Sequence, residues 1–103
     1  MINKVAVIGS RNFNAYVYFC EKLELIISKL EGEIEFVSGG CSSGGDALIS
    51  RYCKENGLKL TEHLADWTNL GKRAGFVRNK LIVDDCTHLI AFWDGISRGL
   101  NHL

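Results

Sequence analysis

Four short apolar runs, lying in KVAVI, IEFVS, LKLTEHL and THLIAFW, are separated by longer stretches whose apolar residues return every three or four positions. This alternation constrains the fold more than any other feature. A strand, a helix and a second strand in the same sheet make a right-handed crossover, so a chain patterned this way forms a parallel sheet with helices on both faces. KVAVI is apolar without an alternating polar face, as suits a central strand covered on both sides.

The first strand is expected at Lys4–Ile8, with a helix over Ala15–Leu30 ending near Gly32. Its stripe would be Val17, Phe19, Cys20, Leu23, Ile26, Ile27 and Leu30. IEFVS gives a second strand, Gly44 to Asn56 a second helix stopped by Gly57, and LKLTEHL a third strand. A polar turn at Ala65–Leu70, a helix over Arg73–Val83 and a buried fourth strand in THLIAFW, centred on Leu89, Ile90, Ala91 and Phe92, complete the order. The expected class is α/β, a Rossmann-like three-layer domain with a parallel sheet of about four strands. Domains of this kind usually add a further helix and strand, whereas SRGLNHL follows here. Either the fold is minimal, or another copy or chain covers the sheet edge at strand four and makes a homo-oligomer.

At 103 residues, 47% of them hydrophobic, residues 1–103 are expected to form a single domain around one core. Twelve Lys and Arg balance twelve Asp and Glu, so no overall field draws the chain to nucleic acid or an anionic membrane, and any partner must be recognised locally. No segment approaches the roughly 20 apolar residues of a membrane span, and no secretory pattern opens the chain, which points to a cytoplasmic protein. Cys20, Cys41, Cys53 and Cys86 lack CxxC spacing and are expected as reduced thiols; no metal is expected.

Ligands of open parallel sheets sit beyond the carboxyl ends of the strands. Those exits carry Gly9-Ser10-Arg11, Ser38-Gly39-Gly40, Asp66-Trp67 and Trp93-Asp94-Gly95. The second continues as SGGCSSGGD, where glycine lets a ligand approach the backbone and the following helix offers unpaired N–H groups near Ser42–Gly45. It is neither GxGxxG nor GxxxxGK[ST], and the plain alternative is a strand-to-helix turn capped by Ser42 or Ser43.

Five segments occur in one order: GSR at Gly9, SGGCSSGGD at Ser38, DW at Asp66, AGFVRN at Ala74 and AFWDGISRG at Ala91. Together they resemble the YspA and YpsA-related branch of the SLOG superfamily, over Val5 to Gly99. The resemblance implies a Rossmann-like sheet that binds nucleotides or nucleotide-derived ligands, with no further cofactor. LOG-type relatives hydrolyse the N-glycosidic bond of nucleoside monophosphates through a PGGxGTxxE motif, and DprA-type relatives bind single-stranded DNA. Here Ser38 stands in place of the proline, and the acidic residue is Asp46 in a differently spaced loop, a departure that bears more on hydrolysis than on binding. Members of the branch usually have threonine after SRG, where this chain has Leu100. Single-stranded DNA is disfavoured by the zero net charge and by the lack of interleaved aromatic and basic residues.

The ligand-binding set expected from these motifs is Gly9, Ser10, Arg11, Ser38, Gly39, Gly40, Cys41, Ser42, Ser43, Gly44, Asp46, Asp66, Trp67, Arg78, Asn79, Asp94, Gly95, Ser97 and Arg98. Arg11 offers a planar fork to phosphate, or else pairs with Asp46 or Asp94. Asp46 contacts ribose hydroxyls or acts as the catalytic base if the protein is an enzyme; otherwise it is a first-turn carboxylate facing the helix dipole. Because a carboxylate repels phosphate, the phosphate belongs near Gly39–Ser43 and Arg11, and the sugar near Asp46. Arg78 and Asn79 reach the rim or each other. Trp67 is preferred over Trp93 as a stacking surface, and Asp94, Ser97 and Arg98 hold the ligand's other end or cap a loop. Cys41 lacks a partnering histidine for a nucleophilic role, and His63, His88 and His102 are assigned no chemistry.

Overall fold

A computed structural model describes residues 2–9, 15–41 and 44–92. The chain runs β1 (Ile2–Gly9), α1 (Tyr16–Ile27), β2 (Glu33–Ser38), α2 (Gly44–Asn56), β3 (Leu60–Glu62), the one-turn helix α3 (Trp67–Leu70), a 3-10 turn (Gly71–Arg73), α4 (Ala74–Asp85) and β4 (His88–Phe92). The strands form one parallel sheet in the order β3-β2-β1-β4, the α/β Rossmann-like arrangement expected from the sequence.

The two faces of the sheet follow from strand periodicity. Val5 and Val7 of β1, Phe36 of β2 and Phe92 of β4 face α1 and α2, and meet Phe19, Leu23, Leu48, Ile49 and Tyr52 in the main core. Ala6 and Val37 point the other way and meet Ile82 of α4, with Cys86 beside them. One face is therefore thickly covered and the other carries a thinner layer.

Several boundaries differ from expectation for local physical reasons. In α1 the core-facing stripe is Tyr16, Phe19, Cys20, Leu23 and Ile27, with Phe19 and Leu23 fully buried and Leu30 packing just beyond the helix, and Val17 and Ile26 turn to solvent. The stripe is still a three- and four-residue repeat, rotated to begin one residue earlier. LKLTEHL pairs only over Leu60–Glu62: β3 lies at the sheet edge against β2, and the His63 N–H to Ser38 carbonyl bond, 2.8 Å, is the last before the chain leaves. Ala65–Leu70 is not simply a turn, because Asp66 caps α3 by accepting from the Asn69 N–H at 3.2 Å. The helix expected from Arg73 begins at Ala74 and continues to Asp85.

The fourth strand is buried on one face only, through Phe92 and, in part, Ile90. It pairs with β1 at the end of the sheet order, and its register sets Leu89 beside Ala6 and Ala91 beside Ile8. Those two side chains share the face on which α4 packs over β1 and β2, so Leu89 remains 48% exposed. Any further helix or strand would fall in residues 93–103, outside the described residues.

Candidate functional site

Glycine geometry shapes the carboxyl end of the sheet. The backbone of Gly45, in the first turn of α2, lies directly on Gly9 at the end of β1. A Cβ on Gly45 would stand 2.8 Å from the Gly9 nitrogen, and one on Gly9 would stand 2.9 Å from the Gly45 Cα. Neither position admits a side chain. Gly40 and Gly44 take φ of 69° and 67°, the left-handed region that glycine enters without strain. Leu64 Cδ2 fills the space a Cβ on Gly40 would take.

Gly39 is where two distant parts of the chain meet. A Cβ there would be 2.9 Å from Arg78 Cδ and 3.0 Å from Asp46 Oδ2, so a side chain from α4 and one from α2 close over the same bare backbone. Asp46 Oδ2 also accepts the Cys41 N–H at 3.1 Å, closing the glycine loop onto the start of α2. Burial pushes the Asp46 carboxyl above its ordinary value. The Cys41 N–H, the Arg78 guanidinium and the Gly39 N–H pull against that rise, while Glu62 adds to it. The Arg78 Nε donates to Asn79 Oδ1 at 3.3 Å.

These groups line a cavity of about 510 Å³ formed by Gly9, Gly39, Gly40, Cys41, Asp46, Leu64, Ala65, Trp67 and Arg78. Its lining combines glycine backbone, the polar Asp46 and Arg78, and the apolar Leu64, Ala65 and Trp67. Trp67 is 55% exposed, and the Cη2 edge of its ring lies 3.5 Å from where a Cβ on Gly75, at the start of α4, would stand. A half-open indole beside a carboxylate and a guanidinium provides a flat apolar surface, a hydroxyl acceptor and an anion donor within one cleft.

Of the expected site residues, the structure gathers Gly9, Gly39, Gly40, Cys41, Asp46, Trp67 and Arg78 around this cavity. Ser38, Gly44, Asp66 and Asn79 do not line it. Ser38 is fully buried, and its Oγ accepts from the Gly40 N–H at 3.3 Å. Gly44 is buried at the start of α2, and Asp66 is occupied in capping α3. Asn79 lines a separate cavity of about 10 Å³ with Ile8, Ile82, Val83 and Leu89. Ser10, Arg11, Ser42, Ser43, Trp93, Asp94, Gly95, Ser97 and Arg98 lie outside the described residues.

Sequence reasoning missed Leu64 and Ala65. Leu64 closes the apolar run LKLTEHL and reads as a strand residue, and only the short pairing of β3 turns it toward the cavity. Among the described residues, no group of three or more His, Cys, Asp or Glu could hold a metal ion, and no helix is long and apolar enough to cross a membrane.

Compared with known families, the chain matches the model described as YAcAr, the YspA, cpYpsA-related SLOG family, over residues 3–70. That range contains the glycine loop, Asp46 and Trp67; Arg78 lies beyond it. The comparison with curated proteins and the comparison with solved structures each find no match.

Proposed function

The chain belongs to the YspA, cpYpsA-related SLOG family, and from that premise we propose that it binds a nucleotide or nucleotide-derived small ligand at the carboxyl edge of its sheet. The observation that carries this reading is the convergence of Asp46 and Arg78 on Gly39 in a cavity that Trp67 also lines. The base stacks on Trp67 beside Leu64, a contact worth ~1–3 kcal/mol in nucleic-acid recognition. Asp46 accepts from the sugar hydroxyls. Arg78 clamps phosphate together with Arg11, its neighbour Ser10 and the loop backbone at Gly39–Ser43, and Asp94, Gly95, Ser97 and Arg98 complete the far end. The unit is a single domain over residues 1–103, cytoplasmic, with no cofactor beyond its ligand and no nucleic-acid or membrane partner.

A second reading is hydrolysis of a nucleoside monophosphate. The raised pKa of the Asp46 carboxyl favours it, since a carboxyl nearer neutrality is a more effective proton carrier. In that reaction the C1′–N bond breaks, water supplies the oxygen that replaces the base, and the base leaves with a proton. Asp46 would take the proton from the attacking water.

Calorimetric titration of nucleotides, cyclic dinucleotides, ADP-ribose and NAD into the wild type, Arg78→Ala and Asp46→Asn tests both, with chromatography of the same samples. Binding of an unchanged ligand, weakened about tenfold or more in both variants, is the expected result. Release of free base that Asp46→Asn abolishes selects the hydrolase instead. If no member of the panel binds, the nucleotide reading is wrong.

A further inference from the structure

We infer that the outward face of α4 is the contact surface of a two-fold symmetric dimer of this chain, with the two α4 helices packed antiparallel. Arg78 and Ile82 on the inner side of α4 face the cavity and the core. The outer side carries Lys80 and Asp84, but the rest of it is apolar, which is not expected of a helix facing water. Phe76 is 76% exposed, and Val77, Leu81 and Val83 are also open to solvent. Phe76, Lys80 and Val83 follow one another at i, i+4 and i+7, which aligns them along one stripe. Leu89 of β4, itself exposed, lies across the small cavity from Val83 and widens the apolar surface. A contiguous patch of this kind marks a contact surface.

The identity of the occupant comes from charge. Lys72 and Arg73 immediately precede α4 and Asp84 and Asp85 end it, so basic groups sit at its positive end and acidic groups at its negative end. This arrangement opposes the helix dipole and does nothing for the isolated helix. Among the described residues, Lys72 and Arg73 have no ion pair, and Asp84 has only its exposed i,i+4 contact with Lys80 at 3.0 Å. An antiparallel second copy corrects both faults. It sets Lys72 and Arg73 of each chain against Asp84 of the other, twice by symmetry, and opposes the two dipoles. Phe76 then packs against Val83 of the other copy, while Lys80 lays its stem along the seam with its head beside its own Asp84. An unrelated partner would need its own reason for that reversed charge order; a second copy carries it already. The 12-residue helix spans about 18 Å, so the interface is small and the association weak.

Sedimentation of the full chain from about 10 µM to 1 mM tests this, using Lys72→Glu/Arg73→Glu, Asp84→Lys and an equimolar mixture of the two. The wild type dimerises reversibly with concentration. Each charge variant alone places like charges opposite one another and raises the dimer Kd about tenfold or more. In the mixture both contacts become attractive again and a heterodimer forms near wild-type strength, which also shows that each variant is folded. Phe76→Ser weakens the dimer without being rescued by mixing. A wild type that stays monomeric throughout, as it would if the face serves a different protein, overturns the inference. So does a dimer that neither charge variant weakens, or a mixture that recovers nothing.

Discussion

Asp46 is a carboxyl that the fold tolerates rather than needs. Burial raises its pKa, so its charged form at neutral pH opposes folding: the stability it lends is complete below its unfolded pKa and is lost as pH rises through the higher folded value. Asp46→Asn keeps an oxygen for the Cys41 N–H and removes the buried charge. It is therefore expected to leave stability unchanged or raise it by up to about 1 kcal/mol at pH 7, with the difference vanishing in acid, as denaturant titration at several pH values would show. A gain in stability coupled to loss of ligand binding would mark Asp46 as held for function. Gly39→Ala tests the other half of the pair. Its methyl group meets Arg78 and Asp46 at about 3 Å, so ligand affinity should fall at least tenfold in calorimetry while the fold survives. The sequence offered Asp46 with an equally good plain explanation, whereas the AGFVRN motif favoured a place at the rim for Arg78. That the glycine loop and Arg78 share one cavity was expected from the motifs, but the closure of both side chains over Gly39 was not legible, because it depends on how α4 crosses the sheet 32 residues downstream of Asp46. Asp66 went the opposite way: D-W-T-N is a capping sequence, and the structure uses it as one.

Among the elements, α2 was the most legible because both ends carry glycine signals: it runs from Gly44 to Asn56 as read, with Gly57 beyond it at φ 64°. The glycines around it have different physical meanings, and substitution separates them. Gly57 has open space where a Cβ would go, so Gly57→Ala should cost only the left-handed backbone penalty, about 1 kcal/mol. Gly45→Ala drives a methyl into the backbone of Gly9 and should cost about 2–3 kcal/mol or more, read by denaturant midpoint. Equal costs would show that α2 does not rest on β1 as described. The strands were less legible at the edges. β3 pairs with β2 alone and stops at Glu62, and β4 reads as buried although its Leu89 is 48% exposed and no helix among the described residues covers it. Apolar content alone does not distinguish a central strand from an edge strand.

For the molecule as a whole, an ionic junction among the described residues ties α4 to the sheet. Asp85 accepts from Lys4 Nζ at 2.8 Å and lies 2.9 Å from His63 Nε2, joining the end of α4 to β1 and to the exit of β3. The Lys4 bond, and then the His63 bond, hold the Asp85 carboxyl below its ordinary value. Its stabilising effect is therefore present above the unfolded pKa and lost as pH falls through the lower folded one. Asp85→Asn should flatten the acid limb of the stability profile and, because Asp85 also holds the Lys4 ammonium above its ordinary value, soften the loss at strongly alkaline pH, leaving the neutral region parallel to that of the wild type; an unchanged acid limb would place the acid sensitivity elsewhere. Three-layer architecture, strand number and family were all legible in the sequence, because alternation and motif order are properties of the chain itself. The cavity was legible only in part, since Leu64 and the reach of Arg78 are set by packing. Its most direct test is the fluorescence of Trp67 in a Trp93→Phe background, titrated with the ligand that gives the strongest calorimetric signal. Saturable change of the indole emission at the calorimetric Kd, lost in Arg78→Ala, is the predicted result. Heat of binding with an unresponsive Trp67, or with full affinity in Arg78→Ala, would contradict a pocket built from Asp46, Trp67 and Arg78 together.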